Sequence, residues 1–405
     1  MQITIFKYPR LSPLWIAVFI DIIGFSMILP MGPFIAESFS ISIFLMGIIL
    51  SINAMFSFIF GPFLGKFSDK FGRKPLLLIS QAGTFAGFIL LAFSGSLWLL
   101  IFSRIIDGIF GGNFPIAKAI IGDVVPPKDR SIQMANIGVA HVLASLIGPG
   151  LGGTLFSIGG ILLPGIFAAG LSLFTMIITL FILQETWTKE KRELNHELKK
   201  KVVIQIRKNK GATWYLILWG FHTASFMIAM ASLSFFGKIV FGLEAFEIGV
   251  LLMISGIFRA VVRFSLFKPT IRKLGENNAI KFGLGLFLIS FFLVGFSINI
   301  IMFFIMIMII SFAASLTRGP LNSKISQSVS PMEQGKINGF SSGLDSFAQI
   351  IGPLLGTLML DLFQPFYLSF LISSIALVPF LMGFKTIQLK KYDIPQLDQE
   401  KLIEE

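Results

Sequence analysis

The chain has no cysteine, and only 13% of its 405 residues are charged. Without cysteine there are no structural disulfides and no thiolate metal sites. A soluble domain carries about 25% charged residues, so the scarcity of charge argues against one. The sequence also lacks a phosphate-binding GxxxxGK[ST] loop, an HExxH zinc pair and a polar stretch long enough for a soluble catalytic domain. These absences predict no enzyme, no cofactor and no metal site.

What is present is apolar. Hydrophobic residues make up 55% of the chain, with 46 Phe and 39 Gly. Runs of about 20 apolar residues, each long enough to cross a bilayer, recur along its whole length. They place spans at 13–36, 43–65, 76–95, 97–121, 132–157, 161–183, 213–237, 244–267, 279–297, 299–320, 335–360 and 365–386. The expected fold class is therefore an all-α integral membrane protein of twelve helices. The abundant glycine suits helices that approach closely in lipid. No small-residue cleavage site follows the first run, which reads as a retained span and not a signal peptide.

The formal net charge of +12 is distributed by topology. One set of loops holds Lys7 and Arg10, then Lys66, Lys70, Arg73 and Lys74, then Lys128 and Arg130, then Lys268, Arg272 and Lys273, then Lys385, Lys390 and Lys391. The opposite set holds only Lys238. Basic loops stay on the cytoplasmic side, so both termini are expected there, in a multi-pass protein of the cell membrane. Cations at helix ends face anionic lipid. They are not gathered on one soluble face, as nucleic-acid binding would need. The polar stretch 184–211 separates an N-terminal six-helix bundle (1–183) from a C-terminal one (212–386), and 387–405 is a cytoplasmic tail. The stretch reads either as an amphipathic surface helix or as a solvated linker.

The two bundles repeat. A shift of 204 pairs Pro127 with Pro331, Asp129 with Glu333, Ala144 with Ala348, Gly148–Pro149 with Gly352–Pro353, and Gly152 with Gly356. "FSDKFGRKP" (67–75) has a weaker echo in "TIRKLGENN" (270–278), at a shift of 203. Duplicated halves with a site near midplane are a mark of secondary transporters.

Charge inside a bilayer is costly, so an ionisable residue at mid-depth is a candidate for function. Counting about 1.5 Å per residue from the span ends puts five residues near the middle: Asp21, Asp107, His141, His222 and Asp345. His141 and Asp345 are equivalent under the 204 shift. Arg104 lies on the same helix face as Asp107, nearer the outside, and Arg259 lies somewhat inside the midplane. Lys118, Arg263 and Arg318 fall near cytoplasmic ends and are expected to snorkel there. For the two histidines a hydrogen bond inside the bundle stands beside proton relay as a reading.

Four motifs resemble those of the major facilitator superfamily. The 63–78 stretch, with Gly65, Asp69, Gly72, Arg73, Lys74 and Pro75, resembles its loop between the second and third helices. "RIIDGIFGGN" (104–113) with "IIGDVVPPKDR" (120–130) resembles the fourth-helix signature and the loop after it. "GPGLGG" (148–153) is similar to the fifth-helix motif of the proton-coupled drug antiporters, and "DIIGFSMILPMGP" (21–33) to their first-helix motif. The resemblance covers the whole chain and is nearest to the twelve-helix tetracycline and multidrug exporters.

The resemblance implies a major facilitator fold of two pseudo-symmetric six-helix bundles. It also implies a conformational latch of Gly65, Asp69, Gly72, Arg73 and Asp123, with Asp69 facing the N-terminus of the eleventh helix and Arg73 pairing with Asp123. A helix N-terminus stabilises an adjacent anion by roughly 0.3–1 kcal/mol. Gly148, Pro149, Gly152 and Gly153 would form a seal or hinge in the fifth helix, with close packing alone as the other reading. Asp21 and Asp107 lead as proton carriers because they fall on motif positions, with an Arg104–Asp107 ion pair that only joins helices as the alternative. Arg104, His141, His222, Arg259 and Asp345 complete the candidate cavity. One departure is plain. The ninth span, "AIKFGLGLFLISFFLVGFS", has no acid where tetracycline pumps carry one, and the eighth offers Arg259 and Arg263. The expected function is export of a small amphipathic compound by a monomer, in exchange for protons. Import by a symporter or facilitator, and a non-transporting receptor or scaffold, remain as alternatives.

Overall fold

The computed structural model describes residue 8 and residues 11–111, 113–187, 209–330 and 333–385, without the side chains of a few helical residues, His141 among them. The 387–405 tail and residues 188–208 of the 184–211 connection lie outside the described residues.

Twelve helical segments are long and apolar enough to span a membrane, the fourth of them Leu97–Val124. In chain order the helices are α1 (Ser12–Ser38), α2 (Ile43–Phe71), α3 (Arg73–Ala92), α4 (Leu97–Phe110), α5 (Asn113–Val124), α6 (Pro127–Gly159) and α7 (Leu162–Ile182). After the connection come α8 (Lys210–Phe241), α9 (Ala245–Ser265), α10 (Phe267–Leu274), α11 (Glu276–Val294), α12 (Ile300–Gln327), α13 (Gln334–Leu362) and α14 (Phe366–Phe384). Side-chain caps start several of them: Ser42 accepts from Leu45 N at 3.1 Å, and Asn299 from Met302 N at 2.8 Å. Such caps satisfy N–H groups that have no partner within their own helix.

Two elements depart from the sequence expectation. The fourth span is broken into α4 and α5 rather than running on through 97–121. Gly111 caps α4, and Pro115 has no N–H to donate to the Gly111 carbonyl four residues back. The short α10 was not expected; it ends at Gly275, with φ 75° and ψ 156°. Its counterpart under the 203 shift is Gly72, which ends α2 with φ 112° and ψ 154°. A side chain would strain the backbone at both positions, so the weak echo marks a repeated turn.

Helix pairings also recur. α1 packs on α6 as α8 packs on α13, and α3 packs on α4 and α7 as α11 packs on α12 and α14. α1 touches α8 and α9, but the two most extensive crossings between the N- and C-terminal sets are α2 with α13 and α6 with α9. Both are tight at the end of the bundle away from the basic loops. There a Cβ on Gly47 would lie 2.8 Å from the Pro353 carbonyl, and one on Gly153 2.2 Å from the Ala245 carbonyl. Ser51 Oγ donates to the Ile350 carbonyl at 2.8 Å, and Lys238 pairs with Glu37.

Toward the basic-loop end the same helix faces separate. On α2, the stripe of buried Ser51 and Ala54 continues to exposed Phe58, then to Gly61 and Gly65 with nothing within 4 Å. On α13 it continues from Pro353 to Gly343 and Gly339, again with nothing within 4 Å. The apolar core divides in the same way. One cluster takes in Met31 and Ile35 of α1 with Phe235 and Phe236 of α8, joining the two sets. At the basic-loop end a cluster around Leu14, Leu77 and Ile120 is separate from one around Trp219, Leu284 and Ile325.

Candidate functional site

Each half holds polar side chains within the span. In the N-terminal half, α1 carries Asp21, half-buried, and Asn113 at the start of α5 donates Nδ2–H to its Oδ2 at 2.5 Å. On α4, Arg104 and Asp107 are one turn apart, 2% and 7% exposed. Asp107 Oδ2 accepts from Asn53 Nδ2 of α2 at 2.7 Å and from Arg104 Nη1 at 3.4 Å. The Arg104 guanidinium also stands 5.8 Å from the centre of the Phe88 ring. Hydrogen bonds to a charged group contribute roughly 1.5–3 kcal/mol each, so the two amides hold both carboxylates in place. The pair expected from the sequence is present but long, and Asp107 is held more closely by Asn53.

In the C-terminal half, Thr223 of α8 donates to Asp345 Oδ1 of α13 at 2.7 Å, and Arg318 Nη2 of α12 approaches the same oxygen at 3.5 Å. Arg318 was expected to snorkel toward the membrane edge. It is instead held inside the bundle, its guanidinium 5.0 Å from both the Trp219 and Phe226 rings. Aromatic faces attract a desolvated cation by about 2 kcal/mol, which offsets part of the cost of that placement. Arg259 and Arg263 reach this region from α9. Ser315 donates to the Arg259 carbonyl at 3.3 Å, and Arg263 Nη1 lies 3.7 Å from where a Cβ on Gly319 would stand. His222 is 1% exposed, with Nε2 3.2 Å from Thr317 Oγ1 and its ring edge-on to Phe287 at 4.8 Å. It is packed within its own half, behind Arg318. Lys118 sits over the Phe114 ring at 4.2 Å. The His141 side chain lies outside the described residues, so its equivalence to Asp345 rests on sequence alone.

At the basic-loop end Arg73 is the hub. Its Nε donates to Asp123 Oδ2 at 2.9 Å, as the resemblance implied, and its Nη1 donates to Ser68 Oγ at 2.5 Å. Asp69 pairs with Arg73 Nη1 at 2.6 Å. Trp187, beyond α7, stacks under the Arg73 guanidinium at 4.8 Å and donates Nε1–H to the Asp69 carbonyl at 2.8 Å. Glu185 accepts the backbone N–H of Arg73 at 2.9 Å and of Lys74 at 3.2 Å, capping the positive N-terminus of α3. Gly65 has open space beside it.

The fifth-span motif lies on two interfaces at once. A Cβ on Gly148 would meet Ser26 Oγ at 1.9 Å and one on Gly152 the Met27 carbonyl at 2.1 Å, so both hold α6 against α1. Gly153 faces α9, where Gly249 in turn faces the Pro149 carbonyl at 2.6 Å. Gly356, the partner of Gly152 under the 204 shift, faces Ser232 Oγ of α8 at 1.8 Å. The repeat therefore reproduces a contact.

Sequence reasoning missed the neutral residues that complete the network, Asn53, Asn113, Thr223 and Ser68, and also the Glu185–Trp187 staple. Asn53 and Asn113 had a signal. Each is an amide inside an apolar span, where an unpaired polar group is costly.

Twelve spanning helices in a repeated arrangement, with ionisable residues buried between them, define a polytopic membrane transporter. Comparison with known proteins agrees. The family model for the Major Facilitator Superfamily matches residues 14–329 and 266–400. The chain is 29% identical over 350 residues to the class H tetracycline resistance protein of Pasteurella multocida, covering 83% of this chain and 85% of that one. It is 25% identical over 354 residues to multidrug resistance protein 2 of Bacillus subtilis (strain 168), covering 85% and 87%. The structure of a D-xylose–proton symporter superposes with a TM-score of 0.77 at 15% identity, covering 95% of this chain and all of that one, a likeness of fold. The chain belongs to the major facilitator superfamily, and is a multi-pass membrane transporter of small molecules.

Proposed function

We propose that this protein exports a small amphipathic compound across the cell membrane in exchange for protons, as a monomer that alternates access between its two six-helix halves. Both termini and the basic loops lie in the cytoplasm on this reading. The separated end then faces the cytoplasm and the tight crossings form the outer seal, so the conformation is the one that loads an exported substrate.

The observation that carries the reading is the pair Asp21 and Asp107. Two carboxylates lie inside the N-terminal half, each on a motif position and each held by an amide from a neighbouring helix. A carboxylate that alternates between a wet cavity and a dry contact takes up and releases a proton. Protonation from outside would loosen the cavity's hold on substrate, and release inside would restore it. The substrate shifts the two states only by its differential affinity for them. Arg73, Asp69, Asp123 and Glu185 act as the cytoplasmic latch. Their contacts bias the rocking equilibrium. The fifth-helix glycines let α6 slide against α9 at the seal.

The test is proton movement in proteoliposomes loaded with a pH-sensitive dye, with candidate substrates added under an imposed pH gradient. Proton flux opposite to substrate flux is expected. Flux in the same direction would make the protein a symporter, and binding without either flux would make it a receptor.

A further inference from the structure

The C-terminal half carries more positive charge than its own residues balance. Arg259 and Arg263 are one turn apart on the same face of α9, and the Arg263 guanidinium lies against Gly319, the neighbour of Arg318 on α12. Asp345 is the one carboxylate paired with any of them among the described residues, and its contact with Arg318 is 3.5 Å. A charge-assisted N–H···O bond is ordinarily about 2.7–2.9 Å, so this pairing is loose. Two buried donors next to each other lack a hydrogen-bond partner among the described residues: Arg318 Nη1 and Trp219 Nε1. A buried N–H left without an acceptor is costly, and more so on a charged group, so the two donors mark a place where an acceptor fits.

We propose that Arg259, Arg263 and Arg318 form the receptor for the carboxylate of a small amphipathic organic anion, and that Asp345 occupies Arg318 in its absence. This deepens the export reading above and rests on it for the path by which the anion leaves. Guanidinium groups match a carboxylate with two parallel N–H···O bonds and stay charged at any physiological pH. The region is reachable, since Arg318 and Asp345 are each 27% exposed at the side chain and Arg263 is exposed. The surfaces leading to it are apolar. Phe58, Val139 and Leu143 continue the packed stripes of α2 and α6 into the separated end at 46%, 47% and 43% exposure, and suit the hydrophobic body of such a ligand. A lipophilic cation would meet net repulsion from the three guanidinium groups.

The experiment is equilibrium binding of radiolabelled 2-naphthoate to the full-length protein in phosphatidylcholine nanodiscs, with 2-naphthamide and 2-naphthylmethylammonium as competitors of the same ring and different charge. Saturable naphthoate binding is expected, with the amide and the amine at least about tenfold weaker. Arg259→Gln and Arg318→Gln should each weaken naphthoate by about tenfold, while Arg259→Lys retains part of the affinity. Asp345→Asn should tighten it, because the internal competitor for Arg318 is gone. That gain of affinity also guards against reading misfolding as loss of a site. Equal binding of the three probes, no saturable naphthoate binding, or unchanged affinity in the arginine variants would overturn the inference. So would displacement of naphthoate by phosphatidylglycerol, which would make the triad a lipid-headgroup site. Naphthoate that binds but moves no protons would leave this inference standing and remove coupled export. Proton movement driven by the amine alone would do the reverse.

Discussion

Around Asp21 and Asp107 the N-terminal half sets two carboxylates against one guanidinium, and two asparagine amides complete the set. Around Asp345 the C-terminal half sets three guanidinium groups against one carboxylate. The scaffold beneath them is duplicated: Gly148 and Gly152 bring α6 close to α1, and their counterparts Gly352 and Gly356 bring α13 close to α8. Close backbone approach leaves no room for a Cβ, so the glycines recur wherever the packing recurs. Side chains lining the gap between the halves meet no such limit, and their charge diverged. The two proposals above map onto this difference, with protons carried on the acidic side and the transported molecule's charge met on the basic side.

The division is broken most directly by exchanging the roles. Asp21→Asn should abolish substrate-driven proton movement in proteoliposomes, a loss of more than about tenfold, whereas Asp345→Asn should keep it. The opposite pattern would place proton coupling in the C-terminal half. Next in size is stability. Arg104→Ala leaves Asp107 as an uncompensated buried charge, and such losses cost roughly 3–5 kcal/mol. Arg318→Ala removes a pair that is 27% exposed on both sides, worth about 1 kcal/mol or less once solvent screening is counted. Melting of the two variants in detergent should therefore separate clearly, with Arg104→Ala far lower.

A third comparison sets the 67–75 loop against its echo at 270–278. Asp69→Asn should slow turnover a few-fold, roughly 1 kcal/mol in the barrier, while substrate affinity in nanodiscs is unchanged. Unchanged flux would remove the latch from the cycle. The smallest effect is at the repeated turn. Gly72→Ala and Gly275→Ala each place a side chain at positive φ, at about 1–2 kcal/mol. The transport rate should fall only for Gly72→Ala, because Gly72 adjoins the Arg73–Asp123 network, whereas a Cβ at Gly275 would meet nothing within 4 Å.

Spans, their number and the internal repeat were legible in the sequence because each depends on local patterns: runs of apolar residues, glycine spacing, and basic residues in alternate loops. The Arg73–Asp123 contact was legible through a family motif. The partners of Asn53 and Asn113 were not, because an amide in a span signals that it needs a partner without saying which helix or carboxylate supplies it. Arg318 was misplaced for a related reason. Counting residues from a helix end gives depth but not direction, and the rings of Trp219 and Phe226 hold its guanidinium inside the bundle. The break between α4 and α5 was visible as glycines followed by Pro115, yet an apolar run on both sides hid it.

By itself the sequence determined that this chain crosses a membrane as a duplicated set of apolar helices. Hydropathy and periodicity act over one helix at a time and do not depend on what that helix meets. Which carboxylate receives an amide, which guanidinium is left without a carboxylate, and which end of the bundle stands apart were decided by tertiary structure alone. Asp21 meets a donor 92 residues away, and Ser51 an acceptor 299 residues away. Partners that far apart along the chain are chosen by how whole helices pack, a property that no single stretch of residues carries.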